Sequence, residues 1–339
     1  MNVRHGIEIV AYVAFAAVVS FICFRRPVAD DFDRYIYEAL VRGKYETVEA
    51  VYPIVKHSNK RAEESTILDS AIHLGQLEPM YAVKPLYVRA IEATKFTGLP
   101  MQSRINLISA LSLFGVGLVA LAWTDKPGYS ALLLASSAIT VIFRMGTPDG
   151  LSAFIVLTGL WLISRSRYLI GILFLIISVW IRTDNVLLVM AVLGYLLWRK
   201  KINAMDASVL GMISAGSVAL INRLSGNYSW RVLFQFSFIG GRSPAEIDPR
   251  FGISEFIGVA IRNAETIVPQ IAIWVLLGAI AWKVNPSKSG LLIPVWVAVA
   301  AHYAFYPSPE SRYLVWAFLV TGIILVTALQ RQSAVSVRL

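Results

Sequence analysis

Ten apolar stretches recur along a chain of 339 residues, and that repetition constrains the fold more than any other feature. A bilayer hydrocarbon core of about 30 Å takes about 20 apolar residues per helix. The stretches are Gly6–Phe24 and then, by number, 104–124, 129–144, 149–164, 168–182, 185–198, 207–222, 266–284, 290–306 and 313–330. No small-residue cleavage site of the signal-peptide kind follows the first, so it reads as a retained span. Hydrophobic residues make up 57% of the chain and charged ones only 15%, against about 25% charged in soluble domains. The expected architecture is an all-α, polytopic transmembrane bundle of about ten spans, with 1–339 as a single domain.

The basic residues give the orientation. With the N-terminus inside, the short inside segments hold Arg4, Lys126, Arg165, Arg167, Arg199, Lys200, Lys201, Lys283, Lys288, Arg331 and Arg338. The short outside connections hold only Arg144, Arg182 and Arg312. That asymmetry follows the positive-inside rule, from which long loops are exempt. The net charge of +10 therefore reads as topology. Nucleic-acid binding is disfavoured, because no basic patch is interleaved with aromatics. Cys23 is the only cysteine and the four histidines are scattered, so neither an intramolecular disulfide nor a thiolate or HExxH metal site is expected.

Two long outer connections remain, 25–103 and 223–265. The first is too long for a simple linker and carries three amphipathic patterns. Phe32, Tyr35, Ile36, Ala39 and Leu40 form one, with Asp30 or Asp31 as N-cap and Gly43 as the stop. Ile67, Leu68, Ala71 and Ile72 form a second, ending near Gly75. Pro85 opens a third with Leu86, Ala90 and Ile91, closed by Gly98-Leu-Pro100. Juxtamembrane helices of this kind lie along the interface. His57 to Glu64 reads as a solvated loop. The second connection holds Trp230, Phe234, Phe236 and Phe238, then Gly240-Gly241, Pro244 and Pro249. It reads either as an aromatic anchor in the interface or as a bendable cover over a site.

Ionisable residues gather at the outer ends of the spans: Asp30, Asp31 and Asp33 after the first, Lys84 before Pro85, Arg144 and Asp149, Arg182 and Asp184, and Glu310 with Arg312. Any one of them can be a cap or a snorkelling cation. Their recurrence at one level argues for more, since charges near hydrocarbon are costly and often functional. A carboxylate there can act as general base on a hydroxyl. Arg and Lys can hold a phosphate leaving group, and paired carboxylates can share a divalent cation. These parts suit group transfer from a phosphorylated membrane lipid.

Several segments resemble the GT-C superfamily of membrane glycosyltransferases. Ala29-Asp-Asp-Phe-Asp-Arg-Tyr35 is similar to the acidic motif opening the family's first outer loop, and Asp-Asp at this point resembles its arabinofuranosyltransferase branch. Tyr81-Ala-Val-Lys-Pro-Leu-Tyr87 resembles a Lys-Pro-Pro-Leu-Tyr segment. Thr147-Pro-Asp-Gly-Leu151 and Ile181-Arg-Thr-Asp-Asn-Val186 resemble Pro-Asp/Glu-x-Leu and Arg-Pro-Asp-Asn turns. Pro307-Ser-Pro-Glu-Ser-Arg-Tyr-Leu314 resembles the entry to a late helix. Thr183 departs from the family's usual Pro, Lys84 is followed by one Pro where two are usual, and no large carboxy-terminal soluble domain is present. The resemblance implies an inverting glycosyltransferase with a polyprenyl-phosphate sugar donor. The acceptor would be a cell-envelope glycan, lipid or protein, outside a bacterial inner membrane. Asp31 or Asp30 would be the base, or the ligands of a divalent cation (Mg, Mn or Ca) if one is used; Asp31 is favoured by its spacing to Tyr35, itself a candidate substrate contact. Arg312, Arg182 and Lys84 would contact the lipid phosphate, Asp149 and Asp184 would organise the turns or orient those basic groups, and Glu310 is a further candidate substrate contact. A flippase or transporter of lipid-linked saccharide, or a glycan polymerase or ligase, are the alternatives. Charges at span ends and the lack of a visible internal repeat weigh against a transporter.

Overall fold

A computed structural model describes residues 3–27, 32–44, 46–57, 69–241 and 243–336. Each of the ten apolar stretches is helical, and no strand occurs among the described residues. In chain order the helices are α1 (Val3–Arg25), α2 (Phe32–Arg42), α3 (Val48–His57), α4 (Ala71–Ala82), α5 (Pro85–Ala93), α6 (Met101–Thr124), α7 (Pro127–Ala135), α8 (Ser137–Arg144), α9 (Asp149–Ser164), α10 (Tyr168–Val179), α11 (Val186–Trp198), α12 (Ala204–Ser225), α13 (Trp230–Phe234), α14 (Ile253–Val284), α15 (Pro286–Ser289), α16 (Leu292–Phe305) and α17 (Val315–Ser336).

Five of the described helices, α1, α6, α12, α14 and the one beginning near Ser311, are long and apolar enough to cross a membrane. The pair α7 and α8, bent by 62° at Ser136, makes a sixth candidate. The apolar helices α9, α10, α11 and α16 are shorter; the 12 residues of α10 span about 18 Å. The long helices α1, α12 and α14 keep large apolar side chains on their outer faces: Ile261 is 62% exposed and Met212 67%. Patches of that extent face lipid or a partner. With the apolar composition, they are compatible with a membrane helix bundle.

The interior lies around α6, α9 and α17, where Leu113, Val116, Leu157, Leu160, Leu319 and Ile323 are buried together. Glycines let the helix backbones approach. A Cβ on Gly115 would lie 2.6 Å from the Phe154 ring, and one on Gly171 would lie 2.6 Å from the Gly159 carbonyl oxygen. Membrane helices associate through such close packing because lipid supplies no hydrophobic drive between them. Further links are a Tyr12 hydroxyl donating to the Gly117 carbonyl at 2.7 Å and Trp274 stacked on Phe318.

The connections sort to two ends. At one, Arg165 donates to the Ala122 carbonyl at 2.9 Å, and His5 lies 3.7 Å from Asp125. At the other, Arg144 donates to the Arg26 carbonyl at 2.5 Å. There the turns 145–148, 180–182 and 306–310 come together, and the short helices of the first long connection pack beside them.

That connection differs from the sequence expectation in two places. A fourth helix, α3, was not expected; Val51 and Val55 bury one face against Ile36, Leu74 and Leu77. Pro53 and the β-branched residues obscure its helical signal, but burial outweighs propensity. The second pattern does not end at Gly75. It starts at Ala71, capped by Ser70, and continues to Ala82, because one interior glycine costs only about 1 kcal/mol. Residues 58–68, which hold most of the expected solvated loop and Ile67 and Leu68 of the second pattern, lie outside the described residues. The second long connection is also shorter than expected, since α14 starts at Ile253 and not near 266. In its first turn the Glu255 side chain accepts from the Gly252 N–H at 2.9 Å, so one otherwise orphaned donor is satisfied. Asn263 and Glu265 interrupt the apolar run but leave the helix intact.

Candidate active site

The turns 145–148, 180–182 and 306–310 all contribute to one cavity of about 860 Å³. Asp149 is the first residue of α9, following the turn at Gly146. That turn is pinned on both sides. A Cβ on Gly146 would meet Ile105 at 2.9 Å and Arg34 at 3.1 Å, and the Tyr87 hydroxyl donates to its carbonyl at 3.0 Å. Arg182 follows α10 in extended conformation. Asn185 locks the next turn by donating to Ser152 Oγ at 2.8 Å and the Ser178 carbonyl at 3.1 Å.

Arg182 is nearly saturated by its own neighbours. Its Nε and Nη2 donate to the two oxygens of Asp184 at 3.1 and 2.6 Å, and its Nη1 donates to Asp149. The Tyr313 ring lies 4.5 Å from the guanidinium carbon. A buried guanidinium so held is fixed in place by its fork geometry, with its charge balanced by the two carboxylates. Arg312 pairs with Glu310, donates to the Tyr313 hydroxyl at 3.3 Å and lies 5.1 Å over the same ring. From the opposite wall Lys84 extends over the rings of Tyr81 and Tyr37, at 4.7 and 5.7 Å, and donates to the Met80 carbonyl at 3.3 Å. Its helix, α5, is tied to the Arg182 turn by the Leu86 N–H donating to the Trp180 carbonyl at 3.0 Å.

The second long connection covers this cavity. Trp230, Phe236, Ser237 and Phe238 line it. Ser237 meets the Tyr306 hydroxyl at 2.8 Å, Trp230 donates to the Phe305 carbonyl at 2.9 Å, and Arg262 donates to the Phe238 carbonyl at 3.0 Å. Ser243 donates to the Gln76 side chain at 2.5 Å, so the cover spans from α4 to α16.

Lys84, Asp149, Arg182, Asp184, Glu310 and Arg312, named from the sequence, thus line one volume. Tyr35 does not. It is buried among Ile36, Ala39 and Val51, and Tyr37 takes the cavity position, because residues two apart on a helix diverge by about 200°. Asp30 and Asp31 lie outside the described residues. The described residues hold no group of three or more His, Cys, Asp or Glu able to bind a metal. Among the residues not anticipated, His302 stands out. Its Nδ1 is 3.3 Å from Asp184, while its Nε2 is buried without a hydrogen-bond partner among the described residues. The His302–Tyr306 spacing on the last turn of α16 was the available signal.

His302→Phe keeps the ring contacts with Tyr306 and Tyr313 but removes the contact to Asp184. A cost of about 1–3 kcal/mol is expected, read as a lower thermal midpoint in detergent. A variant as stable as wild type would show that Asp184 does not depend on the imidazole. Comparison with known proteins finds no matching family model, no similar curated protein and no similar solved structure.

Proposed function

We propose that this chain is a GT-C-type glycosyltransferase of about ten spans. It takes a sugar from a polyprenyl-phosphate donor on the non-cytoplasmic side of a bacterial inner membrane. The observation that carries the reading is the single cavity in which four cations (Lys84, Arg182, Arg262, Arg312) face three carboxylates (Asp149, Asp184, Glu310). The same cavity has apolar walls at Val186, Leu187, Val218 and Phe305, a combination suited to a phosphate carried on an isoprenoid.

In this reading an acceptor hydroxyl of an envelope glycan, lipid or protein attacks the anomeric carbon from the face opposite the phosphate. The new C–O bond forms as the bond to the phosphate oxygen breaks, inverting the centre. Asp31 or Asp30 takes the hydroxyl proton, and the departing polyprenyl phosphate keeps the electron pair. Lys84 and Arg312 stabilise its charge. Arg182, whose charge Asp149 and Asp184 more than balance, has fewer donors left to offer and holds the turns in place. A divalent cation, if used, would rest on Asp30 and Asp31.

The test is transfer from extracted polyprenyl-phosphate sugars by purified protein. Asp31→Asn or Asp30→Asn is expected to lower the rate by at least about a hundredfold, as loss of a general base does, with folding intact. Full activity in both variants removes the base assignment. No transfer by wild type, together with movement of lipid-linked saccharide between leaflets, replaces the enzyme by a flippase.

A further inference from the structure

The end of the bundle away from the candidate active site carries a second cavity, of about 330 Å³. Its charged lining residues are Arg165, Arg199 and Lys201, and no carboxylate lines it. This contrasts with the first cavity, where Arg182 and Arg312 each have a carboxylate partner. Arg165 is engaged through Nη2 with the Ala122 carbonyl; Arg199 and Lys201 make no ion pair among the described residues.

The three cations are placed by rigid turns. The α9 end closes with the Arg167 N–H donating to the Leu162 carbonyl at 2.9 Å, and the α11 end with the Lys201 N–H donating to the Leu196 carbonyl at 2.8 Å. Ser166 and Lys200 take the left-handed conformation at these closures, with φ of 62° and 53°. This is the Schellman arrangement, built here without glycine. Two helix ends therefore hold like charges around one concave volume. Repulsion between them is relieved by an anion. Ser164, Ser166 and Ser287 add hydroxyls to the lining, and Ile163, Leu291 and Ile324 give it an apolar floor. Trp123, Tyr168 and Tyr195 also line it, and such aromatics mark the level of lipid headgroups. Basic pockets between helices at that level bind anionic headgroups.

We infer that this cavity is a binding site for a phosphate ester, the headgroup of an anionic phospholipid or a free phosphate. Its occupation ties the α9–α10 turn to the α11–α12 turn. Native mass spectrometry of the full chain released from detergent tests it, with phosphatidylglycerol and phosphatidylcholine of matched acyl chains. Wild type is expected to retain phosphatidylglycerol in preference to phosphatidylcholine. The triple variant R165Q/R199Q/K201Q is expected to bind phosphatidylglycerol about a hundredfold more weakly, the scale of losing three juxtamembrane cations. The triple variant R167Q/K200Q/K283Q removes the same charge from the same end but not from the cavity, and is expected to bind as wild type. Displacement of the lipid by millimolar inorganic phosphate identifies the phosphate group alone as the ligand; resistance to it assigns the site to the phospholipid. Equal loss in the two triple variants, or no preference for phosphatidylglycerol, overturns the proposal. All six side chains substituted lie on exposed turns or helix ends, and an unchanged gel-filtration profile confirms that each variant folds.

Discussion

Arg182→Met is expected to destabilise the purified protein by about 3–5 kcal/mol, the usual cost of removing one partner of a buried ion pair. The reason is the asymmetry between making and breaking such a pair. Asp149 and Asp184 both direct carboxylate oxygens at the guanidinium, and Asp149 is only 3% exposed. Methionine fills much of the same volume but offers no donor, so two carboxylates are left facing each other, Asp149 among them buried. The double variant Asp149→Asn with Arg182→Met removes one of those charges and is expected to recover part of the loss. Thermal unfolding midpoints of the four members of the cycle measure the coupling, which contacting residues place at about 0.5–3 kcal/mol. An Arg182→Met protein within about 1 kcal/mol of wild type would mean that the two carboxylates are hydrated, and that the cavity is open to water at this point. Arg182→Lys separates charge from geometry: it keeps the cation but not the fork that serves Asp184 through two nitrogens.

Much of this arrangement is legible in the sequence because it rests on periodicity and punctuation. Asp149 and Arg182 are adjacent in space for a simple reason. They stand at the outer ends of α9 and α10, two short helices joined by the tight turn 165–167, and consecutive antiparallel helices return to the same level. Likewise Pro85 marks the start of α5 and so places Lys84 at its mouth. Tertiary packing decides the features that were not legible. The choice between Tyr35 and Tyr37 depends on which face of α2 meets α3 and α4, and α3 itself is recognisable only once its valines have something to cover. The early start of α14 is hidden because its first turns carry Glu255, Arg262, Asn263 and Glu265. Two of these, Arg262 and Asn263, turn toward the cavity and reach the cover and the Pro307 carbonyl. His302 was visible as a residue but not as a partner of Asp184, since they are 118 positions apart and no local pattern links them.

The hairpin of α9 and α10 makes a second large effect expected, at a distance from the cavity. Gly171→Leu should cost about 3 kcal/mol, the upper range for overpacking, because the clash is with backbone. A Cβ at position 171 would lie 2.6 Å from the Gly159 carbonyl oxygen and 3.1 Å from the Ile163 nitrogen. No rotamer change relieves either contact, so the two helices must separate. The contact lies one to two turns from the closed end of the hairpin at 165–167, and separation there grows toward the open end, where Asp149 meets Arg182. Gly171→Leu should therefore also weaken that ion pair. Once it has done so, adding Arg182→Met should cost less than in the wild-type background, a non-additivity expected of coupled sites. Gly194→Leu is the matching control: a Cβ there meets nothing within 4 Å, so leucine at that point on α11 is expected to be neutral or stabilising by up to about 1 kcal/mol, as replacing a helical glycine is. If Gly171→Leu behaves like Gly194→Leu, close approach of α9 and α10 does not hold the hairpin. If it destabilises but remains additive with Arg182→Met, the glycine contact holds the hairpin without setting the geometry of the site.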